Sequence, residues 1–397
     1  MKKLTKLSLV ASLALITTQA FSADTIAKAF EEGKISGEIK SQYFQKEVGT
    51  SHDKVGIWTN GGNLSFVTGS YYGLKAGVTF QAATVTSDDL DKSPTAYNSD
   101  QNVSGAVASQ AYLEYTRENT TGKVGRQYIS TPLVAGSGSR IFKESFEGIV
   151  LSNTDIPNTT LVAAYVDKFQ GRTDIATNGT QIKDVSDFGS NVPAVNFASI
   201  NMDGAYTLYI KNTSVKNLTL SAQYAVVDVI TSNDAKAFYA DASYNLTPFT
   251  ISAQTYQSDD GSATNSDGSA YGLNLTANFG KLSLGAAYSK VDDEADIVNG
   301  LGNGADYLYT WSWIYGGVYS ADTDAYKLSA GYKITDGLSF DLMHAAWKTG
   351  NTDRKSETDY IATYNFDKNL SAKFVFADYN NISTESYRSR LYVSYKF

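Results

Sequence analysis

The last eleven residues of the chain, 387–397, alternate between two kinds of side chain and stop on an aromatic residue. In an extended strand, one face would carry tyrosine, leucine, valine and phenylalanine with one serine, and the other would carry Arg388, Arg390 and Lys396. An arginine or lysine on the lipid side of a transmembrane barrel costs roughly 2–4 kcal/mol at the bilayer midplane. The basic face must therefore point inward, and the pattern predicts the closing strand of an outer-membrane β-barrel.

The N-terminus, residues 1–22, has the three parts of a secretory signal peptide. Three lysines give a positive start, residues 7–17 are apolar, and small residues follow, so cleavage after Ser22 and cleavage after Ala23 both remain open. The apolar stretch is far shorter than the roughly 20 residues that a membrane-spanning helix needs. Because the exported chain contains no cysteine, we expect neither disulfides nor a thiolate metal site.

The composition suits a barrel whose strands face lipid on one side and a water-filled lumen on the other. The chain has 28 tyrosines, 18 phenylalanines and 32 glycines, yet its mean hydropathy is only −0.26. In barrel strands the lipid-facing and water-facing residues cancel in any averaged window, so a polar average does not argue against membrane insertion. The formal net charge of −8 argues against a nucleic-acid partner.

Period-two alternation recurs along the chain after residue 34. Runs begin near Ile35, Ile57, Leu74, Gly105, Lys123, Phe146, Thr159, Ala205, Leu218, Ala237, Phe249, Ser269, Lys281, Asp324, Leu338, Glu357, Leu370 and Tyr387. The three runs that begin near Lys123, Phe146 and Thr159 alternate poorly. We therefore predict an all-β fold, a transmembrane antiparallel up-and-down β-barrel of about eighteen strands, with sixteen as the alternative.

The connections between these runs alternate in length. Short connections, such as 119–122 and 212–216, take turns with long ones, such as 86–104 and 171–201. Outer-membrane barrels have short periplasmic turns and long extracellular loops, whereas a soluble β-sandwich would not explain this two-sidedness. We predict a signal peptide at 1–22, a short periplasmic helix within 23–34 and the barrel at 35–397.

Lipid exclusion also predicts which charged side chains line the lumen. Eight of them are positive and four are negative, so the inner wall is mildly basic while acidic residues gather in the long connections. The expected lumen residues are Glu38, Lys40, Lys75, Glu114, Asp241, Lys327, Lys333, Asp341, Lys373, Arg388, Arg390 and Lys396.

Catalytic chemistry has little support in the sequence. The only histidines, His52 and His344, are far apart along the chain, and the glycine-rich stretch 136–140 precedes no helix signal. We expect no enzymatic activity, no cofactor and no metal site.

Aromatic residues alternate with other residues along the stretch 307–315 of a long connection. This pattern fits an extra strand, a hydrophobic lid or a loop core, of which we favour the loop core.

A specific motif lies in and around the connection that follows the fifth run. It consists of Gly125-Arg126-Gln127, Thr131-Pro132-Leu133, Arg140 and Phe146-Glu147-Gly148. Together with the Glu32–Gly37 segment and the Tyr395-Lys396-Phe397 end, this motif resembles the OprD-like porin family and the related major outer-membrane porins of epsilon-class Gram-negative bacteria.

The resemblance implies that the loop around 131–145 folds into the barrel and that its charges form a pore constriction. Carried over by residue, the constriction would consist of Arg126, Arg140, Lys143 and Glu147, with Glu144 nearby. A plain loop with surface charges is the alternative. Arg388 and Arg390 are the only support for the family's row of basic residues, which guides carboxylate-bearing solutes.

We therefore predict a porin in the outer membrane of a Gram-negative bacterium, giving passive diffusion of small hydrophilic solutes and ions. The alternative is a closed barrel with an adhesin or structural envelope role. The expected partners are outer-membrane lipid and the barrel-assembly machinery, which would recognise Val393, Tyr395 and Phe397 as the assembly signal. The solute, the sign of ion selectivity and the choice between monomer and homotrimer remain open.

Overall fold

The computed structural model describes residues 23–48, 53–94, 96–97, 100–172, 202–229, 233–261, 267–382 and 386–397. The predicted signal peptide, His52 and nearly all of the 171–201 connection lie outside these described residues. Among the described residues, no helix has both the length and the apolar character needed to cross a bilayer.

Eighteen strands of the described chain form one antiparallel sheet that closes on itself, because the first strand pairs with both the second and the last. They are β1 (Lys34–Val48), β2 (Asp53–Val67), β3 (Leu74–Asp88), β4 (Gly105–Arg117), β5 (Thr120–Gln127), β8 (Ser145–Asn153), β9 (Thr159–Gln170), β10 (Met202–Asn212), β11 (Leu218–Val229), β12 (Ala235–Leu246), β13 (Phe249–Asp259), β14 (Asp267–Phe279), β15 (Leu282–Val291), β16 (Thr323–Lys333), β17 (Leu338–Thr349), β18 (Lys355–Asn365), β19 (Leu370–Asn380) and β20 (Tyr387–Lys396). Between β5 and β8, β6 (Ser130–Thr131) and β7 (Val134–Ala135) form a small separate hairpin. The predicted barrel is confirmed, with eighteen strands rather than sixteen.

Side chains along each strand alternate between an exposed apolar face and a covered face. On β13, Phe249 and Ile251 are exposed, whereas Gln254 and Tyr256 are buried. Because lipid offers the backbone no hydrogen bonds, a sheet can span a bilayer only when every strand has a neighbour on both sides. The closed ladder meets this condition, so the exposed apolar face is the outer one and the covered face lines the interior.

The two ends of the barrel differ in their connections. One end has the turns 68–73, 118–119, 154–158, 213–217, 247–248, 280–281, 334–337 and 366–369. The other end has the longer connections, among them the 89–104, 128–144 and 292–322 loops. The chain therefore has a short-turn end and a long-loop end, as the alternation of connection lengths predicted.

A single-turn helix, α1 (Ile26–Glu31), lies at the short-turn end. The Thr25 hydroxyl caps it by accepting a hydrogen bond from the Lys28 amide at 3.1 Å. The Phe30 ring stacks on Phe66 of β2 with centroids 6.0 Å apart, and the Gly69 amide donates to the Ala29 carbonyl at 2.7 Å. These contacts fix the helix beside the 68–73 turn.

The last residue closes the seam of the barrel. The Gly37 amide donates to the Phe397 carbonyl at 3.0 Å, and the Phe397 amide donates to the Gly37 carbonyl at 3.1 Å. The Phe397 ring covers Gly37 so closely that a Cβ atom there would lie 2.5 Å from the ring. The aromatic terminus therefore belongs to the sheet and fits only against glycine.

Candidate functional site: two loops inside the barrel

The 128–144 loop turns into the barrel and contacts the wall at β11. The Leu133 amide donates to the Gln223 side-chain oxygen on β11 at 2.7 Å. The Gln223 side-chain nitrogen donates to the Thr131 hydroxyl at 2.9 Å. Leu133 and Phe142 are fully buried. Because β11 is several strands away from β5, these bonds place the loop across the lumen and not along the rim.

The 292–322 loop also enters the barrel and pairs with the first loop. The Leu301 amide donates to the Leu133 carbonyl at 2.8 Å, the Ala135 amide to the Leu301 carbonyl at 3.0 Å and the Gly304 amide to the Ala135 carbonyl at 2.9 Å. Val134 and Leu301 pack in one buried apolar cluster. The two loops therefore form a single hydrogen-bonded unit inside the sheet.

The aromatic stretch 307–315 belongs to this unit and forms no strand. The Tyr307 ring lies 5.5 Å from the ring of Tyr239 on β12, and the Tyr309 amide donates to Gln254 on β13 at 3.0 Å. The stretch therefore packs on the barrel wall as well as on its own loop. The loop core that the sequence predicted is thus only part of the arrangement.

Glu144 joins the two loops. Its buried carboxylate accepts hydrogen bonds from the Ser137 amide at 2.8 Å and the Asn303 amide at 2.9 Å, and also from the Asn303 side chain. The Arg172 guanidinium lies 3.9 Å away. Burial raises the pKa of Glu144, although Arg172 and these donors oppose the shift.

A cluster of cations surrounds Asp100 of the 89–104 loop. Its carboxylate forms an ion pair with Arg140 of the 128–144 loop and lies 4.0 Å from the Arg390 guanidinium of β20. Both guanidiniums lie near the Phe44 ring, with the ring centre 5.4 Å from Arg140 and 4.8 Å from Arg390. Burial alone would raise the pKa of Asp100, but Arg140, Arg390 and Arg172 outweigh it and hold the pKa well below its usual value.

The pKa of Arg140 is also lowered, but for a different reason. Burial and the neighbouring charge of Arg390 lower it to about 10, although Asp100 opposes the shift. The guanidinium is therefore still protonated at neutral pH. One carboxylate and several guanidiniums meet at this point, so the cluster carries a positive charge inside the barrel.

Lys143 lies near this cluster on the same wall. Its backbone amide donates to the Gln81 side chain of β3 at 2.8 Å, and its ammonium lies 4.0 Å from the centre of the Tyr128 ring. Burial lowers the pKa of Lys143. Lys40 of β1 donates to the Ile141 carbonyl at 3.4 Å and pairs with Glu38 at 3.5 Å. Arg140, Lys143 and Lys40 are therefore brought together.

Arg126 and Glu147 lie elsewhere. They are cross-strand partners in register with Val124 and Ile149, which are 50% and 53% exposed on the outer face. Arg126 Nε lies 2.8 Å from one oxygen of Glu147, and Lys168 Nζ lies 2.8 Å from the other. The three side chains form a charged row on the outer face of β5, β8 and β9. The structure therefore does not bring Arg126 and Glu147 together with Arg140 and Lys143, the other two predicted constriction residues.

The remaining predicted lumen residues lie on the face opposite the exposed apolar side chains. Several make defined contacts there: Lys75 with Glu114 at 3.9 Å, Asp241 with Ser221, Lys327 with the Trp311 carbonyl at 2.9 Å, and Lys373 with the Trp313 ring at 4.6 Å. Asp341 lies beside Lys373, and Arg388 shares the face of Arg390 on β20.

Sequence reasoning missed two fully buried carboxylates, Glu357 and Asp359 of β18. They share the inward register with Ile361, so the lipid-exclusion argument used for the other strands would have found them. The His344 ring forms a hydrogen bond with the Thr358 hydroxyl of β18 at 2.9 Å. Within the described residues, no group of three or more potential ligands could hold a metal ion.

Comparison with known proteins agrees with this architecture. Residues 28–329 match the family model described as outer membrane porin, OprD family. A comparison with curated proteins gives no match.

Three solved structures are similar over nearly their whole length. OpdO of Pseudomonas aeruginosa shares 18% identity, with 94% of this chain and 98% of that chain covered and a TM-score of 0.73. The outer membrane protein OpdK of the same species shares 15% identity, with 93% and 99% covered and a TM-score of 0.74. OccAB1 of Acinetobacter baumannii shares 16% identity, with 96% and 98% covered and a TM-score of 0.73. These structures show the common fold, and the family match covers most of the chain. The chain therefore belongs to the OprD family of outer membrane porins.

Proposed function

We propose that small hydrophilic solutes and ions diffuse passively past a constriction built by the 128–144 and 292–322 loops. The observation that carries this proposal is the backbone pairing of the two loops inside the lumen, around Leu133 and Leu301. Loops held by hydrogen bonds to each other and to β11 and β13 narrow the lumen of a barrel of this size. The chain acts as a channel alone, without enzymatic activity.

The charges beside the constriction favour anions. Arg140 and Arg390 lie near the carboxylate of Asp100, and Arg388 shares the face of Arg390 on β20. In a narrow aqueous pore, fixed positive charge raises the local concentration of anions and lowers that of cations. Small carboxylates are therefore the solute class that this wall suits best. Arg140, Lys143 and Lys40 are the constriction residues that the geometry supports.

Two measurements on the purified protein test this function. Planar bilayers with a salt gradient give the single-channel conductance and the reversal potential. Liposome swelling compares a neutral solute with a carboxylate of similar size. We expect open channels that prefer anions and admit the carboxylate faster. Insertion without conductance would instead support the closed barrel with an adhesin or structural role.

We expect the N-terminal segment to direct export and the C-terminal residues to direct membrane insertion. Removal of residues 1–22 as a signal peptide would leave α1 at the short-turn end, and N-terminal sequencing of the membrane protein decides between cleavage after Ser22 and after Ala23. Tyr395 and Phe397 are exposed on the outer face of β20, where the barrel-assembly machinery can read them. Light scattering in detergent separates a monomer from a homotrimer.

A further inference from the structure

Three consecutive backbone amides of the 292–322 loop point at two carboxylates of the barrel wall. The Trp313 amide donates to Asp359 at 2.9 Å. The Ile314 amide donates to one oxygen of Glu357 and the Tyr315 amide to the other, both at 2.8 Å. The loop segment 313–315 is therefore bound to β18 through its backbone, by charge-assisted hydrogen bonds.

Both carboxylates are covered completely, with exposures of 0%. A carboxylate on a lumen wall would ordinarily stay hydrated, because burying it without partners is costly. Here the loop supplies amides in place of water: each oxygen of Glu357 accepts one, and one oxygen of Asp359 accepts a third. On the loop side these hydrogen bonds use only backbone amides. They therefore fix the path of the loop independently of its side chains.

Further contacts keep the segment folded as one piece. Lys327 of β16 donates to the Trp311 carbonyl at 2.9 Å, and Lys373 of β19 lies 4.6 Å from the centre of the Trp313 ring. The Tyr315 ring packs 4.6 Å from Trp347 of β17. Asp306 accepts from the Gly317 amide at 3.0 Å and so closes the turn that follows. Wall groups on four neighbouring strands, β16 to β19, thus hold one compact aromatic turn.

We propose that Glu357 and Asp359 are positioning residues that hold the 313–315 segment against β18 and thereby set the open width of the pore. The proposal rests on the channel function. The two carboxylates act through the loop and need not touch the solute. When these hydrogen bonds are lost, the aromatic turn can move away from the wall. The pore should then become wider and its conductance should fluctuate more.

The first test compares two single substitutions in planar bilayers. Glu357→Gln removes the charge and one of the two acceptor oxygens that the loop uses. Asp341→Asn is the matched control, because it removes a carboxylate from the same face of the neighbouring strand β17. Among the described residues, Asp341 makes no hydrogen bond to the loop. It therefore reports the effect of lost charge alone.

We expect Glu357→Gln to raise the mean conductance and the frequency of transitions between levels, and Glu357→Ala to do so more strongly. Asp341→Asn should shift the reversal potential without new transitions. Equal conductance traces for Glu357→Gln, Glu357→Ala and the parent, after normal insertion, would overturn the proposal. A parent protein that does not conduct would instead overturn the channel function, so the two failures are distinguishable.

A second variant applies if changes to β18 prevent folding. Ile314→Pro removes one amide donor from the loop side and leaves the strand sequence intact. It should reproduce the conductance phenotype of Glu357→Gln and insert into the membrane like the parent. If Ile314→Pro inserts and conducts like the parent, the backbone hydrogen bonds of the 313–315 segment do not set the width of the pore.

Discussion

Arg140 and Asp100 form an ion pair that joins two loops inside the barrel, because one residue belongs to the 128–144 loop and the other to the 89–104 loop. The pair is nearly buried and lies against Phe44 and Arg390 on the wall. It therefore connects both loops to the seam between β1 and β20.

Asp100→Asn should destabilise the folded barrel. The substitution leaves Arg140 buried without its counter-charge, and breaking one partner of a buried ion pair costs roughly 3–5 kcal/mol. The measurement is the temperature at which the folded form shifts its mobility in a denaturing gel. Asp91→Asn, an exposed carboxylate in the same loop, is the control and should behave like the parent.

The same variant gives a test at low pH. Because the pKa of Asp100 is held well below 3.8, its contribution to stability is present above the ordinary pKa and is lost only as the pH falls further. The difference in stability between the parent and Asp100→Asn should stay constant from neutral pH down to about pH 4. A difference that vanishes on mild acidification would contradict the ion pair.

Glu144 should give the opposite dependence on pH. Burial raises its pKa above the ordinary value of 4.5, so the folded protein binds this proton more tightly than the unfolded chain does. The carboxyl therefore favours folding most when it is protonated, and stability falls as the pH rises from 4.5 through the raised pKa.

Glu144→Gln should abolish that part of the pH dependence. Melting of parent and variant between about pH 4 and about pH 8 gives the comparison. The variant keeps an acceptor for Asn303, so its barrel should still form. Identical slopes of stability against pH for parent and variant would show that Glu144 does not titrate in this window.

The seam of the barrel offers a steric test. A Cβ atom at Gly37 would lie 2.5 Å from the Phe397 ring and 2.6 Å from the Asn63 carbonyl oxygen. Gly37→Val should therefore reduce the membrane-inserted fraction, as deletion of Phe397 should, with overpacking of roughly 1–3 kcal/mol or more. Gly122→Val is the control, because the nearest atom to its Cβ would be 3.9 Å away. Normal insertion of Gly37→Val would mean that the seam is packed less tightly than these distances indicate.

Most of the fold could be predicted because its signal is local. Alternation along one strand is decided by lipid on one side and water on the other, so the eighteen strands begin close to where their patterns begin. The short turns follow from the same alternation, because they are the short connections between successive alternating runs. None of these inferences requires knowledge of which distant residues meet.

The site was harder to predict because it consists of contacts between distant residues. Glu144 with Asn303, Leu133 with Gln223 and Arg140 with Asp100 each join different loops or a loop to a wall. The family resemblance identified Arg140 and Lys143, but not their partners. A family motif identifies a segment, and it does not say which face of β5 and β8 the side chains of Arg126 and Glu147 take.

The last prediction concerns the charge of the lumen wall. Arg390 is buried and bound to Asp100, whereas Arg388, on the same face of β20, is only partly buried. Reversal of both charges would disturb the cluster, so Arg388→Glu is the better probe of permeation. It should keep normal insertion and shift the reversal potential toward cations, more strongly at low salt, where screening is weak. Arg126→Glu is the matched control, because it makes the same change in charge on the outer face. A shift for Arg126→Glu that equals the shift for Arg388→Glu would mean that the inward and outward faces have been assigned wrongly.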